Sequence, residues 1–132
     1  MDFKRPPHIT GAASTGVTEA HTAQALGSGS VPVYATPALV ALLEQAAVDA
    51  LAPHLPPGMT TVGVRIDVQH LAATPVGMAV RAQATLRSQD GRTLIFDVVA
   101  HDDAEKIAEA VHERVMVDQQ RFMARANAKT GL

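Results

Sequence analysis

Between residues 61 and 118 the chain alternates apolar and polar positions in successive runs, whereas between 36 and 52 it is apolar almost without interruption. In TVGVRIDVQH (61–70), Val62, Val64, Ile66 and Val68 share one phase with His70, while Thr61, Arg65, Asp67 and Gln69 take the other. That two-residue period is the signature of a half-buried strand. MAVRAQATLRS (78–88) repeats it, with Met78, Val80, Ala82, Ala84 and Leu86 in phase, and TLIFDVVAHD (93–102) follows. Between these two runs, Gln89-Asp90-Gly91-Arg92 carries the Asp-Gly pair that favours a tight hairpin. KIAEAVHERVMVD (106–118) reads as a further strand, although its Ala and Glu residues would also suit a helix. QQRFMARANAK (119–129) is expected to be helical or a frayed tail.

TPALVALLEQAAVDALA (36–52) has a different character. Thr36 suits an N-cap, Pro37 suits the first helical position, and good helix formers continue to Pro53. Glu44, Gln45 and Asp49 are its only polar residues after Pro37, so the helix should be enclosed by other structure. Upstream, residues 13–25 are Thr-rich and expected to form a first strand, GSGS (27–30) a turn, and residues 1–12 a flexible arm. The resulting order is strand-helix-strand-strand-strand-strand, within a single domain spanning 13–132. This is an α+β architecture, and an antiparallel sheet curved around one long central helix is the hotdog fold.

Composition narrows what such a domain could do. Its 132 residues are 47% hydrophobic but only 3% aromatic, with no Trp, so the core must be built from small and aliphatic side chains. A domain of this size leaves much surface exposed unless it pairs with a copy of itself. A formal charge of −2 gives no electrostatic footprint for nucleic acid. The absence of cysteine excludes disulfides, a thiolate nucleophile and Cys-ligated metal. No apolar stretch suggests a signal peptide or a membrane span, so a cytoplasmic location is expected.

Few polar residues fall at positions expected to be buried. Glu44 interrupts the apolar helix: it either joins Gln45 and Asp49 in a solvated strip or points into a cleft as a base or nucleophile. His70 ends a strand on its apolar side, where it could be a satisfied structural residue or an acid/base group. Thr36 is fully explained as a helix cap, yet a helix start also favours developing negative charge. Eight residues separate Thr36 from Glu44, about 12 Å along an ideal helix. They can meet only through a turned-back entry loop or across a dimer. His8, His21, His54, His101 and His112 lack comparable context, and no metal-ligand spacing is evident.

VYATPALVALLEQAAVDALAPHLPPG followed by TTVGVRIDVQHLAATPVGMAV, and later VHERVMVDQQRF, resembles the fluoroacetyl-CoA thioesterase-like family of hotdog proteins across most of residues 13–123. The joint pattern of a Thr, a Glu eight residues later and the His of HLAATP carries the resemblance. It implies a catalytic set of Thr36, Glu44 and His70, a substrate-side glycine at Gly63, and Arg114 as the last-strand arginine that helps hold the region. It further implies a homodimer with active sites at the interface, and hydrolysis of acyl-CoA thioesters without a metal or redox cofactor. One departure stands out: the lid segment QALGSGSVPVY (24–34) has only Tyr34 where the fluoroacetyl-specific enzyme carries bulky aromatics. The expected substrate is therefore a short or medium acyl-CoA rather than fluoroacetyl-CoA specifically. The rival readings are a non-catalytic acyl-CoA binding or sensing module and a hotdog dehydratase acting on hydroxyacyl thioesters.

Overall fold

The computed structural model describes residues 9–131. Five strands, β1 (Thr10–Gly16), β2 (Met59–His70), β3 (Ala79–Asp90), β4 (Thr93–Asp102) and β5 (Lys106–Asp118), form one antiparallel sheet in the order β1-β3-β4-β5-β2. The helices are a single turn α1 (Ala23–Leu26), the long α2 (Thr36–Leu51) and α3 (Gln119–Asn127). The hotdog arrangement is as expected, with α2 seated against the inner face of the sheet. Asp90 pairs with Thr93 across Gly91-Arg92, so the Asp-Gly hairpin forms with Gly91 in the left-handed region at φ 60°. The segment 106–118 is strand throughout. Its inward phase pairs with both β4 and β2, a burial that helix propensity cannot match.

Consecutive strands are not always neighbours. β2 lies at one edge beside β5, while β3 lies beside β1 and β4. The Pro- and Gly-containing segment 71–78 carries the chain from one side of the sheet to the other. Within β2 the strict alternation breaks at a bulge between Gly63 and Arg65. Thr61 and Gly63 lie opposite Met116 and Arg114, whereas Ile66, Val68 and His70 lie opposite His112, Ala110 and Ala108. The bulge exchanges the phase, because an extra residue turns every following side chain to the other face. Val62 therefore faces outward, Val64 is 52% exposed, and Ile66, Val68 and His70 share the inner side.

The first strand covers Thr10–Gly16 instead of 13–25, so residues 10–12 belong to the sheet and not to a flexible arm; residues 1–8 of that arm lie outside the described residues. Beyond Gly16 the threonines serve turns rather than strand: the Thr22 hydroxyl accepts from Ala25 N–H at 3.2 Å. Threonine satisfies local backbone this way as readily as it lines a strand. Thr36 is the first residue of α2, and Ala35 occupies the N-cap, its carbonyl accepting from Leu39 N–H at 2.9 Å.

Helix α2 is not enclosed on every side. Leu39, Leu43, Ala46, Ala47, Ala50 and Leu51 are buried against Val80, Ala82, Ala84, Leu86, Leu94, Phe96 and Val98. Ala41, Gln45, Val48 and Asp49 remain exposed along one strip. Asp49 accepts from the Ala12 backbone N–H at 2.9 Å, tying the helix to the edge strand. No helix among the described residues is long and apolar enough to cross a membrane.

Gly11 sets how closely β1 approaches α2. A Cβ there would lie 2.5 Å from the Ala46 carbonyl oxygen and 2.6 Å from Ala50 Cα, with the Ala50 amide nitrogen closer still. These are backbone atoms and cannot rotate away. Gly11→Ala should lower the urea-unfolding free energy by about 3 kcal/mol, the upper part of the usual overpacking range. A loss under about 0.5 kcal/mol would show that the approach is not limiting.

Candidate active site

Helix α2 contributes one residue to each of two polar clusters. At its start, Thr36 Oγ1 is hydrogen-bonded to His70 Nδ1 at 2.8 Å. The entry into the helix is held from both sides: Tyr34 N–H donates to Thr74 O and Ala35 N–H to His21 O, each at 2.9 Å. Because Ala35 caps the helix, the Thr36 hydroxyl is left to the imidazole. His70 Nε2 is buried with no hydrogen-bond partner among the described residues. Burial pushes the His70 pKa below its ordinary value; the Ala72 backbone opposes this, without reaching hydrogen-bonding geometry at Nε2. The pair opens onto a cleft of about 420 Å³ lined by Gly29, Val31, Val33 and Ala72. Tyr34 is not a free lid aromatic. It is buried, its hydroxyl donates to Ala38 O at 3.2 Å, and desolvation pushes its pKa up to about 12.

Two turns further along α2, Glu44 stands over the β2 bulge. Its side chain is 41% exposed, and Oε2 accepts from Arg114 Nη1 at 3.1 Å. A Cβ at Gly63 would overlap Glu44 Oε2 and come within 3.1 Å of Arg114 Nη1. Gly63 is therefore the gap that admits the carboxylate. Arg114 is buried and held on several sides: Nε donates to Thr61 Oγ1 at 3.0 Å and Nη2 to Thr61 O at 3.1 Å. Nη1 also lies 3.2 Å from His112 Nε2. With its donors directed into the protein, Arg114 is placed to orient Glu44 rather than to reach a ligand. Glu44 and Arg114 border a different cleft from the Thr36–His70 pair. Within one chain, then, the expected residues form two separate clusters: Thr36 with His70, and Glu44 with Gly63 and Arg114.

Residues 17–120 match the family of fluoroacetyl-CoA-specific thioesterases. The fluoroacetyl-CoA thioesterase of Streptantibioticus cattleyicolor is 39% identical over 129 residues, 98% of this chain and 88% of that protein. The chain belongs to the fluoroacetyl-CoA-specific thioesterase family. Among solved structures, the fluoroacetyl-CoA thioesterase FlK superposes with a TM-score of 0.89 at 35% identity, covering 97% of this chain and 98% of that one. A thioesterase superfamily member from Thermus thermophilus gives a TM-score of 0.88 at 26% identity, covering 98% and 96%.

Two further polar groups stand beside these clusters. His112 lacks context in the sequence taken residue by residue, yet it is fully buried beside Arg114 and Glu44. The signal was present: Ala108, Ala110, His112, Arg114 and Met116 share one phase of β5, so two polar residues were aimed at the core together. Asp102 and Thr74 went unnoticed altogether. Thr74 Oγ1 donates to Asp102 Oδ2 at 2.8 Å, and Asp102 Oδ1 accepts from Ala104 and Glu105 N–H. Burial opposes ionisation of Asp102, but these hydrogen bonds outweigh it and hold its carboxyl below the usual range. The clasp anchors the loop whose Thr74 carbonyl receives Tyr34, just ahead of α2.

His70, which is half-buried, and His112, which is fully buried, both have pKa values lowered from 6.5, chiefly by desolvation. The unfolded chain therefore binds more protons than the native one just below that pH, and stability falls as pH drops. Urea unfolding should show full histidine-linked stability above about pH 7 and a decline toward pH 5, with a shallower slope in His70→Gln. A flat profile over that range would contradict the desolvated, neutral state of both rings.

Proposed function

We propose that this protein is an acyl-CoA thioesterase, hydrolysing a short or medium acyl-CoA to the free acid and CoA. The observation that carries the reading is the Glu44 carboxylate, held by Arg114 in the space Gly63 leaves, in a chain of this thioesterase family. No hydrogen bond from the described residues reaches Glu44 Oε1, which leaves that oxygen open to water or to the thioester carbonyl. Acting as a base, Glu44 takes a proton from water as the water oxygen attacks the carbonyl carbon; the C–S bond then breaks and the thiolate takes up a proton. Acting as a nucleophile, Glu44 attacks the carbonyl carbon and the C–S bond breaks, giving an acyl–carboxyl anhydride and a thiolate that takes up a proton; water then opens the anhydride to the free acid and the Glu44 carboxylate. Thr36 can donate its hydroxyl proton to His70 Nδ1, which makes the ring the Nε2–H tautomer; because Nε2 is itself buried, His70 acts by orienting the exposed Thr36 hydroxyl at the cleft. Neither route requires a metal or redox cofactor, and CoA enters only as part of the substrate.

The cleft beside Thr36 and His70 is bordered by glycine, alanine and valine, which suits an aliphatic acyl group. Purified protein offered acetyl-, fluoroacetyl-, butyryl- and hexanoyl-CoA should release CoA, detected with a thiol reagent. Glu44→Ala should lower kcat by about 10²-fold or more, as loss of a base or nucleophile does. No release from any member of the panel would end the proposal, and full activity in Glu44→Ala would end the assignment. Rapid-quench trapping of an acyl–Glu44 adduct during a single turnover identifies the nucleophile route, and turnover with no adduct identifies the base route.

The separation of the two clusters supports a homodimer, with the Thr36–His70 pair of one subunit completed by Glu44 of its partner, and we place its action in the cytoplasm. The free edge of β2 and the exposed Val48 and Val64 offer surface for that pairing. In a two-fold symmetric dimer, residues from both subunits meet at each site. Glu44→Ala and His70→Ala proteins, unfolded together and refolded, should recover about a quarter of wild-type activity, because each mixed dimer keeps one intact site. Absence of recovery, with mixed dimers confirmed by mass, would place each site within a single subunit.

A further inference from the structure

His112 sits midway along β5 on its inward phase, with 1% of its surface exposed. Its ring nitrogens meet groups of opposite character. Nδ1 lies 2.8 Å from the Arg65 carbonyl oxygen, which can only accept, so Nδ1 carries the proton. Nε2 lies 3.2 Å from Arg114 Nη1, which can only donate, so Nε2 presents a lone pair. The two contacts together require one neutral tautomer. Arg65 closes the β2 bulge, and a Cβ at Gly63 would come within 3.2 Å of His112 Cε1. The ring thus spans from the bulge to the guanidinium, whose Nη1 also donates to Glu44 Oε2.

We propose that His112 is a positioning residue for Glu44: as a neutral acceptor it fixes Arg114 Nη1 between itself and the carboxylate, and so sets where Glu44 stands over Gly63. The inference rests on the thioesterase reading for its effect on turnover, but not for its geometry. The groups facing the ring are Glu44 from α2, the Arg65 carbonyl from β2 and Arg114 on its own strand, with Thr61 holding the far side of the guanidinium. A protonated His112 could not accept from Arg114 and would repel it. It would also compete for Glu44 Oε2, already 3.9 Å from Nε2. Burial favours the neutral ring and Arg114 reinforces it, while the Arg65 carbonyl and Glu44 pull the other way; the net shift is downward.

Long-range ¹H–¹⁵N spectra of the wild-type protein at pH 7.5 should show His112 as the Nδ1–H tautomer. An Nε2–H tautomer or an imidazolium overturns the proposal, and this measurement needs no variant to fold. His112→Leu should lower kcat by about tenfold or more with KM changed less than about threefold, the pattern of a lost transition-state arrangement. His112→Gln, whose amide oxygen can accept from Nη1, should recover most of that loss. The ¹³Cδ resonance of Glu44 should shift in His112→Leu and return towards its wild-type position in His112→Gln. Wild-type kcat in a folded Leu variant, or a Glu44 resonance that does not move, overturns the role. If no acyl-CoA is turned over, the thioesterase reading fails, and the tautomer and the Glu44 resonance still decide the role of His112.

Discussion

Helix α2 lies against the inner face of the sheet at a separation that only small side chains permit. Ala46, Ala47 and Ala50 face the strands, and at Gly11 the two backbones leave no room for a Cβ. That closeness makes one helix the rigid reference for the whole domain. Its first residue, Thr36, must arrive beside the end of β2, and its third turn must carry Glu44 over the bulge in the same strand. Both clusters are therefore set by packing that is itself apolar. The chemistry inherits its geometry from the core.

A second constraint comes from burying charge. A guanidinium within a sheet is tolerated only when its donors find acceptors, since an uncompensated buried ion costs far more than a hydrogen bond returns. Arg114 meets this requirement with Thr61, His112 and Glu44. Each partner depends on a backbone feature of β2: Thr61 precedes the bulge, Gly63 opens it and Arg65 closes it with the carbonyl that orients His112. The bulge looks minor as topology, yet it turns Thr61 and Gly63 inward on one side and Ile66, Val68 and His70 inward on the other. Without the added residue the two sets could not share the inner face.

The family relationship and the geometry bear on different questions. Membership in the thioesterase family rests on identity along nearly the whole chain. Orientation of Thr36, Glu44 and His70 rests on contacts that sequence identity does not display. Thr36 and His70 border one cleft of the chain, Glu44 and Arg114 another. The lid adds a further distinction. Tyr34 lines the cleft but is held as a structural residue at the helix entry, and small or aliphatic side chains make up most of the remaining border.

Much of this was legible in the sequence. Alternation over 61–118 and the apolar run at 36–52 determined the element types, because periodicity reports directly which faces are wet. Asp90-Gly91 determined the hairpin, since a left-handed turn needs a residue that tolerates it. Thr36, Glu44 and His70 could be singled out as polar residues at places that ought to be buried. Tertiary structure decided the rest. The bulge at Val64 reversed a parity that the residues of β2 do not themselves announce. The strand order placed β2 against β5, and only that pairing brought Arg65 and Gly63 beside His112 and Arg114. A pattern along the chain records which face each residue prefers, but a buried ion pair records which distant residues meet, and that is settled by packing in three dimensions.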